Sequence, residues 1–527
     1  MRSMNRWAKV TAVAAAAALA LSACGGDTKD DETTKAGTDT TTTAEEPTKG
    51  GKITAAVAYE TTNFHPSTTS SALALGGNWH VVEGLYELNM NTFEPFAALA
   101  AGDPKEVSPT EYEITLREGA KFSDGTAVTS ADLVKSFDRT LAEGNLYVSM
   151  LSFIDKYEAL GENGIKVTLK YPFSLVKERL SLIKIVKADA TDEELTAKPV
   201  GTGPWVYGTI DEQKIIFTPN ANYNGPFPAT AEEMEWSIIK DDTARTTAMQ
   251  EGTINVMESV PADVESQLTG AGVTVDTVQG FNLPFLMFNT TKAPFDNPKV
   301  RQAFFYAIDT DKLINNAMSG KAEKVTSFLP KGHPNYNEAS TVFTYDPEKA
   351  KALLAEAGVT DLSITLNSTD HPWISALSPQ IKNDLEAVGI KTEIKEEASS
   401  SLYSNVADID VRSFDVVLAP GDPSVFGQDP DLLMNWWYGD NIWTQKRTGW
   451  GTSPKFAELQ TLLSEAVQAS GDAQQEKWNA AFDLLSEEVP LYPLFHRQVA
   501  TGYQADKLAN YKPTGTTGLN FIGVSAK

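Results

Sequence analysis

Five histidines and a single cysteine are the side chains from which this chain would have to build nucleophilic or metal chemistry. His65, His80, His333, His371 and His496 share no metal-ligand spacing, so no transition-metal site made only of protein ligands is expected. Neither a Gly-x-Ser-x-Gly elbow nor a His-Glu-x-x-His pair occurs. Carboxylates are so numerous, 70 in 527 residues, that no pair singles out a glycosidase. Gly201-Thr202-Gly203-Pro204 is glycine-rich, but Pro204 lacks an N–H donor and no Gly-Lys-Ser/Thr follows, which argues against a phosphate loop. These glycines instead predict a close backbone approach where the chain re-enters a domain. No catalytic residue and no cofactor is expected.

The cysteine has a different chemistry open to it. Cys24 follows Leu21-Ser22-Ala23, after a basic stretch (Arg2, Arg6, Lys9) and an Ala- and Val-rich run too short for a comfortable membrane span. The arrangement resembles a bacterial lipoprotein signal, which implies that residues 1–23 are removed and Cys24 is lipidated. An ordinary secretory peptide with a chance cysteine is the alternative. Residues 24–50 read as a disordered tether. From Gly25 to Lys49 there are seven acidic residues, three lysines and no aromatic or large aliphatic side chain, too little apolar surface to offset ordering entropy. A lone cysteine permits no intrachain disulfide, so the folded part must rely on a large core, and its length allows one.

The formal net charge is −26, and loss of residues 1–23, which hold three basic and no acidic groups, leaves −29. Such a surface repels nucleic acid phosphates and anionic headgroups, and serves solubility. No second long apolar run suggests a membrane span.

The elements that must position any site alternate. Short apolar or alternating runs at 53–59, 112–116, 165–169, 214–217, 362–366 and 414–418 predict strands. Asp346-Pro347, Asn297-Pro298 and Ser453-Pro454 each pair an N-cap with proline at the first helical position, and Thr129 to Asp132 reads as a capping box. Residues 362–394 read as strand, helix, strand, a βαβ unit. The fold class is α/β, strands covered by helices. Arg301 and Asp309, eight apart, are expected to be structural salt-bridge partners rather than ligand contacts.

Six motifs, in order, carry a resemblance. They are Glu83-Gly84-Leu85-Tyr86; Glu113 to Thr126 with Phe122-Ser123-Asp124-Gly125; Val128 to Leu133; Pro199 to Pro204; Ala293 to Asp309; and Tyr345 to Gly358. Together they resemble the bacterial extracellular solute-binding proteins of family 5, across nearly all of residues 51–527. The resemblance implies a two-lobed periplasmic-binding-protein-like fold of type II, with an inserted subdomain and a ligand cleft between lobes. Lobe I would comprise 51–90, 200–283 and 492–527, the inserted subdomain 91–199 and lobe II 284–491. Crossovers are expected near Gly280-Phe281-Asn282 and Val489-Pro490-Leu491.

The resemblance also implies site residues. Peptide-binding members carry a Gly-Asp whose carboxylate pairs with the peptide ammonium, and Asp422 matches it; a turn-forming Asp before Pro423 is the alternative. Where dipeptide binders hold the ligand carboxylate with Arg-Pro, this chain has His371-Pro372, followed by Trp373. Histidine lacks the bidentate fork, which favours a longer peptide or a ligand with no carboxylate there. Trp436, Trp437, Tyr438, Trp443 and Trp450 are too dense to be buried together, so Trp436, Trp437 and Trp443 are expected to reach the cleft. Phe64 and His65 fall at the N-terminal cleft loop. The implied function is a monomeric, lipid-anchored receptor on the outer face of the cell membrane, passing a solute, foremost a peptide, to the permease and ATPase of an ABC importer. The alternatives are a secreted lipid-anchored hydrolase and a sensory or adhesive surface lipoprotein.

Overall fold

Alternation in the sequence becomes strand structure: in Gly164–Leu169, Ile165, Val167 and Leu169 all turn inward. The computed structural model describes residues 49–527, apart from residue 410 and the side chain of residue 405. The expected signal peptide, Cys24 and nearly all of the tether lie outside the described residues.

Two large sheets organise the chain. The first has eight strands among the described residues and runs Thr274–Gln279, Phe495–Tyr503, Val256–Met257, Lys52–Val57, Glu233–Ile238, Lys214–Pro219, Trp205–Ile210, with Ala322–Lys324 paired antiparallel to the start of Phe495–Tyr503. Lys52–Val57 is parallel to both its neighbours, and the remaining pairs are antiparallel. The second runs Lys391–Glu397, Ser363–Thr369, Val416–Gly421, Leu283–Phe288, Leu491–Pro493. Its first three strands are parallel, and Ser363–Thr369, the helix Ser378–Ala387 and Lys391–Glu397 form the anticipated βαβ unit. All six residues of Leu283–Phe288 are buried, as in a strand covered on both faces. A smaller antiparallel sheet, Lys105–Ser108, Glu111–Thr115, Gly164–Leu169 and Ile154–Ala159, comes entirely from the inserted segment.

The chain leaves the first sheet after Gln279 and joins the second at Leu283. It returns at Leu494, beyond the expected Val489–Leu491, because Leu491–Pro493 still pairs with Phe285–Met287. The architecture is a two-lobed α/β fold with an added subdomain.

Local signals positioned the helices. Asp346 accepts from the Lys349 N–H at 2.9 Å, Asn297 from that of Lys299 at 3.0 Å and Ser453 from that of Lys455 at 3.2 Å. Asp132 accepts from the Thr129 N–H at 2.8 Å. Arg301 and Asp309 do not pair. Arg301 reaches across to Glu488, and Asp309 caps the next helix, Thr310–Ala317, by accepting from the Lys312 N–H. The helix Pro298–Ala307 ends before Asp309, so their spacing along one helix never materialises.

The glycine-rich loop is a packing device. A Cβ on Gly201 would lie 1.9 Å from the Val81 carbonyl oxygen. Gly201→Ala is therefore expected to cost on the order of 3 kcal/mol, seen as a lower urea midpoint at unchanged slope.

Nearby, His80 is fully buried: Nδ1 donates to the Gly76 carbonyl at 2.7 Å and Nε2 accepts from the Phe521 N–H at 2.8 Å. Burial lowers its pKa from 6.5 to about 4, and a second ring proton would face the Phe521 donor. Because the folded pKa lies below the unfolded one, this stabilisation is complete above pH 6.5 and is lost as pH falls towards 4. Urea titrations from pH 7 to pH 4 should show wild type losing about 3 kcal/mol more than His80→Gln. Equal losses would remove His80 from the acid response.

Candidate ligand-binding site

Parallel strands place their carboxyl ends on one edge of a sheet, which is where α/β proteins hold ligands. Here both large sheets do so towards each other. The ends of Lys52–Val57, Glu233–Ile238 and Val256–Met257 lead into Ala58-Tyr59, Lys240 to Asp242 and Ser259 to Asp263. The end of Ser363–Thr369 leads into His371, Pro372 and Trp373. These four loops, with Asn316 to Ser319, Lys321 and Arg497, enclose a cavity of about 360 Å³ between the two sheets. That size lies within the range of small-ligand sites.

Its charged groups are mostly spent on one another. Arg245 pairs with Asp242 and donates to the carbonyls of Ile239 and Lys240, both at 2.8 Å. Lys321 meets Glu265 at 3.1 Å, a contact between the two sheets' domains. Lys240 meets Glu60 at 2.9 Å. Arg497 is different. It projects from Phe495–Tyr503, is half-buried, and forms no ion pair among the described residues. Its guanidinium lies over the Trp373 ring, 4.8 Å from the centroid, and reaches the Ser259 hydroxyl only at 3.4 Å. Ser259 holds a left-handed backbone (φ 56°), uncommon for a residue other than glycine.

Aromatic groups complete this corner. The Tyr59 and His371 rings meet edge-on at 5.6 Å. Burial, then the nearby Glu258 carboxylate, push the Tyr59 hydroxyl up to about 12, so it stays a neutral donor. Burial lowers His371, and the Arg497 charge lowers it further against the opposing pull of Asp370. His371 is thus held towards its neutral form, and the cationic role in this corner falls to Arg497. The Trp373 indole N–H has no partner among the described residues.

Of the residues singled out from the sequence, the cavity brings together His371 and Trp373. Asp422 is half-buried nearby but does not line it. Its carboxylate accepts from the Ser424 N–H and hydroxyl, the Thr517 N–H at 2.7 Å, the Thr517 hydroxyl at 2.8 Å and the Thr516 hydroxyl at 3.3 Å. Five donors fill a carboxylate's acceptor sites, and three come from the C-terminal segment packed on the first sheet.

Phe64 and His65 lie in the first domain's wall, outside the cavity. Phe64 packs edge-on against Tyr207, and His65 Nδ1 accepts from the Ser67 N–H at 3.1 Å. The aromatic cluster is also displaced from the cavity, and the expectation that it could not be buried is overturned. Trp436 is 9% exposed, Trp437 1%, Trp443 5%. Phe426 packs on Trp436, Phe281 and Phe285 on Trp437, and Phe285 with Arg447 on Trp443. Gly421 makes room: a Cβ there would lie 2.4 Å from the Trp437 ring.

Sequence reasoning missed Tyr59, Arg245, Lys321 and Arg497. The one available signal was His496-Arg497-Gln498, three polar residues interrupting an otherwise apolar strand. Among the described residues no cluster of metal-ligating side chains and no helix long and apolar enough to cross a membrane is present.

Comparison with known proteins bears on the family and the fold. Residues 94–453 match the family described as bacterial extracellular solute-binding proteins, family 5 Middle. The glutathione-binding protein GsiB of Shigella boydii is 26% identical over 428 residues, covering 78% of this chain and 82% of that protein. Heme-binding protein A of Haemophilus influenzae is 27% identical over 535 residues, covering 93% and 94%. The periplasmic binding protein DppA of Helicobacter pylori, solved with the peptide STSA, superposes with a TM-score of 0.80 at 23% identity, over 91% of this chain and 98% of that one. With more than half of its length matched, this chain belongs to the bacterial extracellular solute-binding proteins of family 5.

Proposed function

We propose that this protein is the receptor of an ABC importer, capturing a short peptide or peptide-like solute between its lobes and delivering it unaltered to a permease and its ATPase. The observation that carries the reading is the convergence of parallel-strand ends from two sheets on one cavity. The names of the relatives, for glutathione, heme and a peptide, support a solute of that size class. Cys24 would anchor a monomer to the outer face of the membrane through the tether at 24–50.

Binding should draw the lobes together. Small-angle scattering of the protein with a saturating peptide is expected to give a smaller radius of gyration than without it, alongside a raised melting temperature. Peptide recovered intact by mass spectrometry fits a receptor, whereas cleavage products would mark a hydrolase. An unchanged radius with every peptide tried would count against a closing cleft. Cys24→Ser should release the protein from the membrane fraction, and retention there would refute the anchor.

A further inference from the structure

We infer that Arg497, backed by the Trp373 ring and flanked by the Tyr59 hydroxyl, anchors a carboxylate of the captured solute; this rests on the cavity being the solute site. The charge pattern argues for it. The other cations of the cavity already have partners: Arg245 has Asp242, Lys321 has Glu265 and Lys240 has Glu60. Arg497 has none among the described residues, although it sits half-buried between two domains. Two carboxylates close to Tyr59, Glu258 and Asp422, are themselves occupied. Glu258 accepts from the N–H groups of Ala58 and Gly518, at 2.8 and 3.0 Å, and Asp422 from its five donors.

A guanidinium out of bulk water is stabilised by a planar anion that meets its fork. Trp373 covers one face of the group and leaves its N–H edge for such a partner. The unpartnered indole N–H of Trp373 and the Tyr59 hydroxyl are further donors in the same corner. A single unpaired cation suits a monoanionic carboxylate. A phosphate dianion would call for a second, and the pairings above leave none. The carboxylate-holding charge is thus carried by the first lobe, from the strand Phe495–Tyr503, and not by the loop at His371.

The test uses the full chain and three probes, Ala-Ala, Ala-Ala-Ala and Ser-Thr-Ser-Ala, each as the free acid and as the C-terminal amide, in calorimetric titrations. For any probe that binds, the acid should bind about 10- to 100-fold more tightly than the amide. Arg497→Gln should weaken the acid by a similar factor and leave the amide unchanged. Arg497→Lys, which keeps charge without the fork, should fall between. Equal affinity of acid and amide for the wild-type protein would overturn the inference while leaving the receptor reading intact, and this comparison needs no variant to fold. Failure of all six probes to bind would overturn both.

Discussion

Arg179→Ala is expected to destabilise the protein by about 3–5 kcal/mol. Arg179 lies in the helix Val176–Leu180 of the inserted subdomain and is almost wholly buried. Its Nη2 bonds Asp429 and, at 2.8 Å, Asp431, while Nη1 donates to the Met150 carbonyl at 3.0 Å. Both carboxylates belong to the start of the helix Pro430–Tyr438, on the second sheet's side of the molecule. One cation therefore holds two anions out of water, and its loss strands both. Burial already raises Asp431, with Arg179 the main opposing influence. In the variant its folded pKa should rise further above the unfolded value, so protonation favours the fold and the deficit shrinks as pH falls from 8 to 5. Adding Asp431→Asn to Arg179→Ala should recover part of the loss. Urea unfolding of the three proteins at both pH values checks this, and a deficit below 1 kcal/mol would show the triad to be dispensable.

Asp422→Ala is expected to weaken solute binding by about 10- to 100-fold, the worth of a lost charged hydrogen bond. The reason differs from the one the sequence suggested. Asp422 joins the second sheet's domain to Thr516 and Thr517, on the first sheet's side, so its removal disfavours the closed arrangement. Scattering should then show a wider average shape for the variant, with a smaller contraction on adding peptide. Asp422→Asn, which keeps one acceptor oxygen, should lose less. A direct bond to the solute's ammonium predicts something else: N-acetylated peptide would bind wild type poorly and the variant no worse. Wild-type affinity in Asp422→Ala would discard both roles.

Much of the fold could be read from local signals, because they act over a few residues. The alternation at 165–169 and the proline-opened helices after Asn297, Asp346 and Ser453 needed no distant partner. Gly280 marks a close backbone approach: a Cβ there would lie 1.6 Å from the Gly515 carbonyl oxygen. The site was half legible. His371 and Trp373 follow a recognisable strand end, whereas Arg497 reaches them only through the meeting of two sheets. The tryptophans were misjudged because their spacing in sequence says nothing of Phe281, Phe285 and Phe426, which arrive from elsewhere to cover them. Arg301 and Asp309 failed as a pair because a helix stopped two residues early.

The outward and return crossings have a modular consequence. Leu283–Phe288 and Leu491–Pro493 are hydrogen-bonded neighbours, so the portion between Leu283 and Pro493 is joined covalently to its scaffold at two adjacent points, and its strand Ala322–Lys324 also pairs with Phe495–Arg497 of the first sheet. It is topologically a cassette. Transplanting the corresponding portion of another member needs only two splice points, and would change half of the cavity wall while keeping the half that carries Arg497.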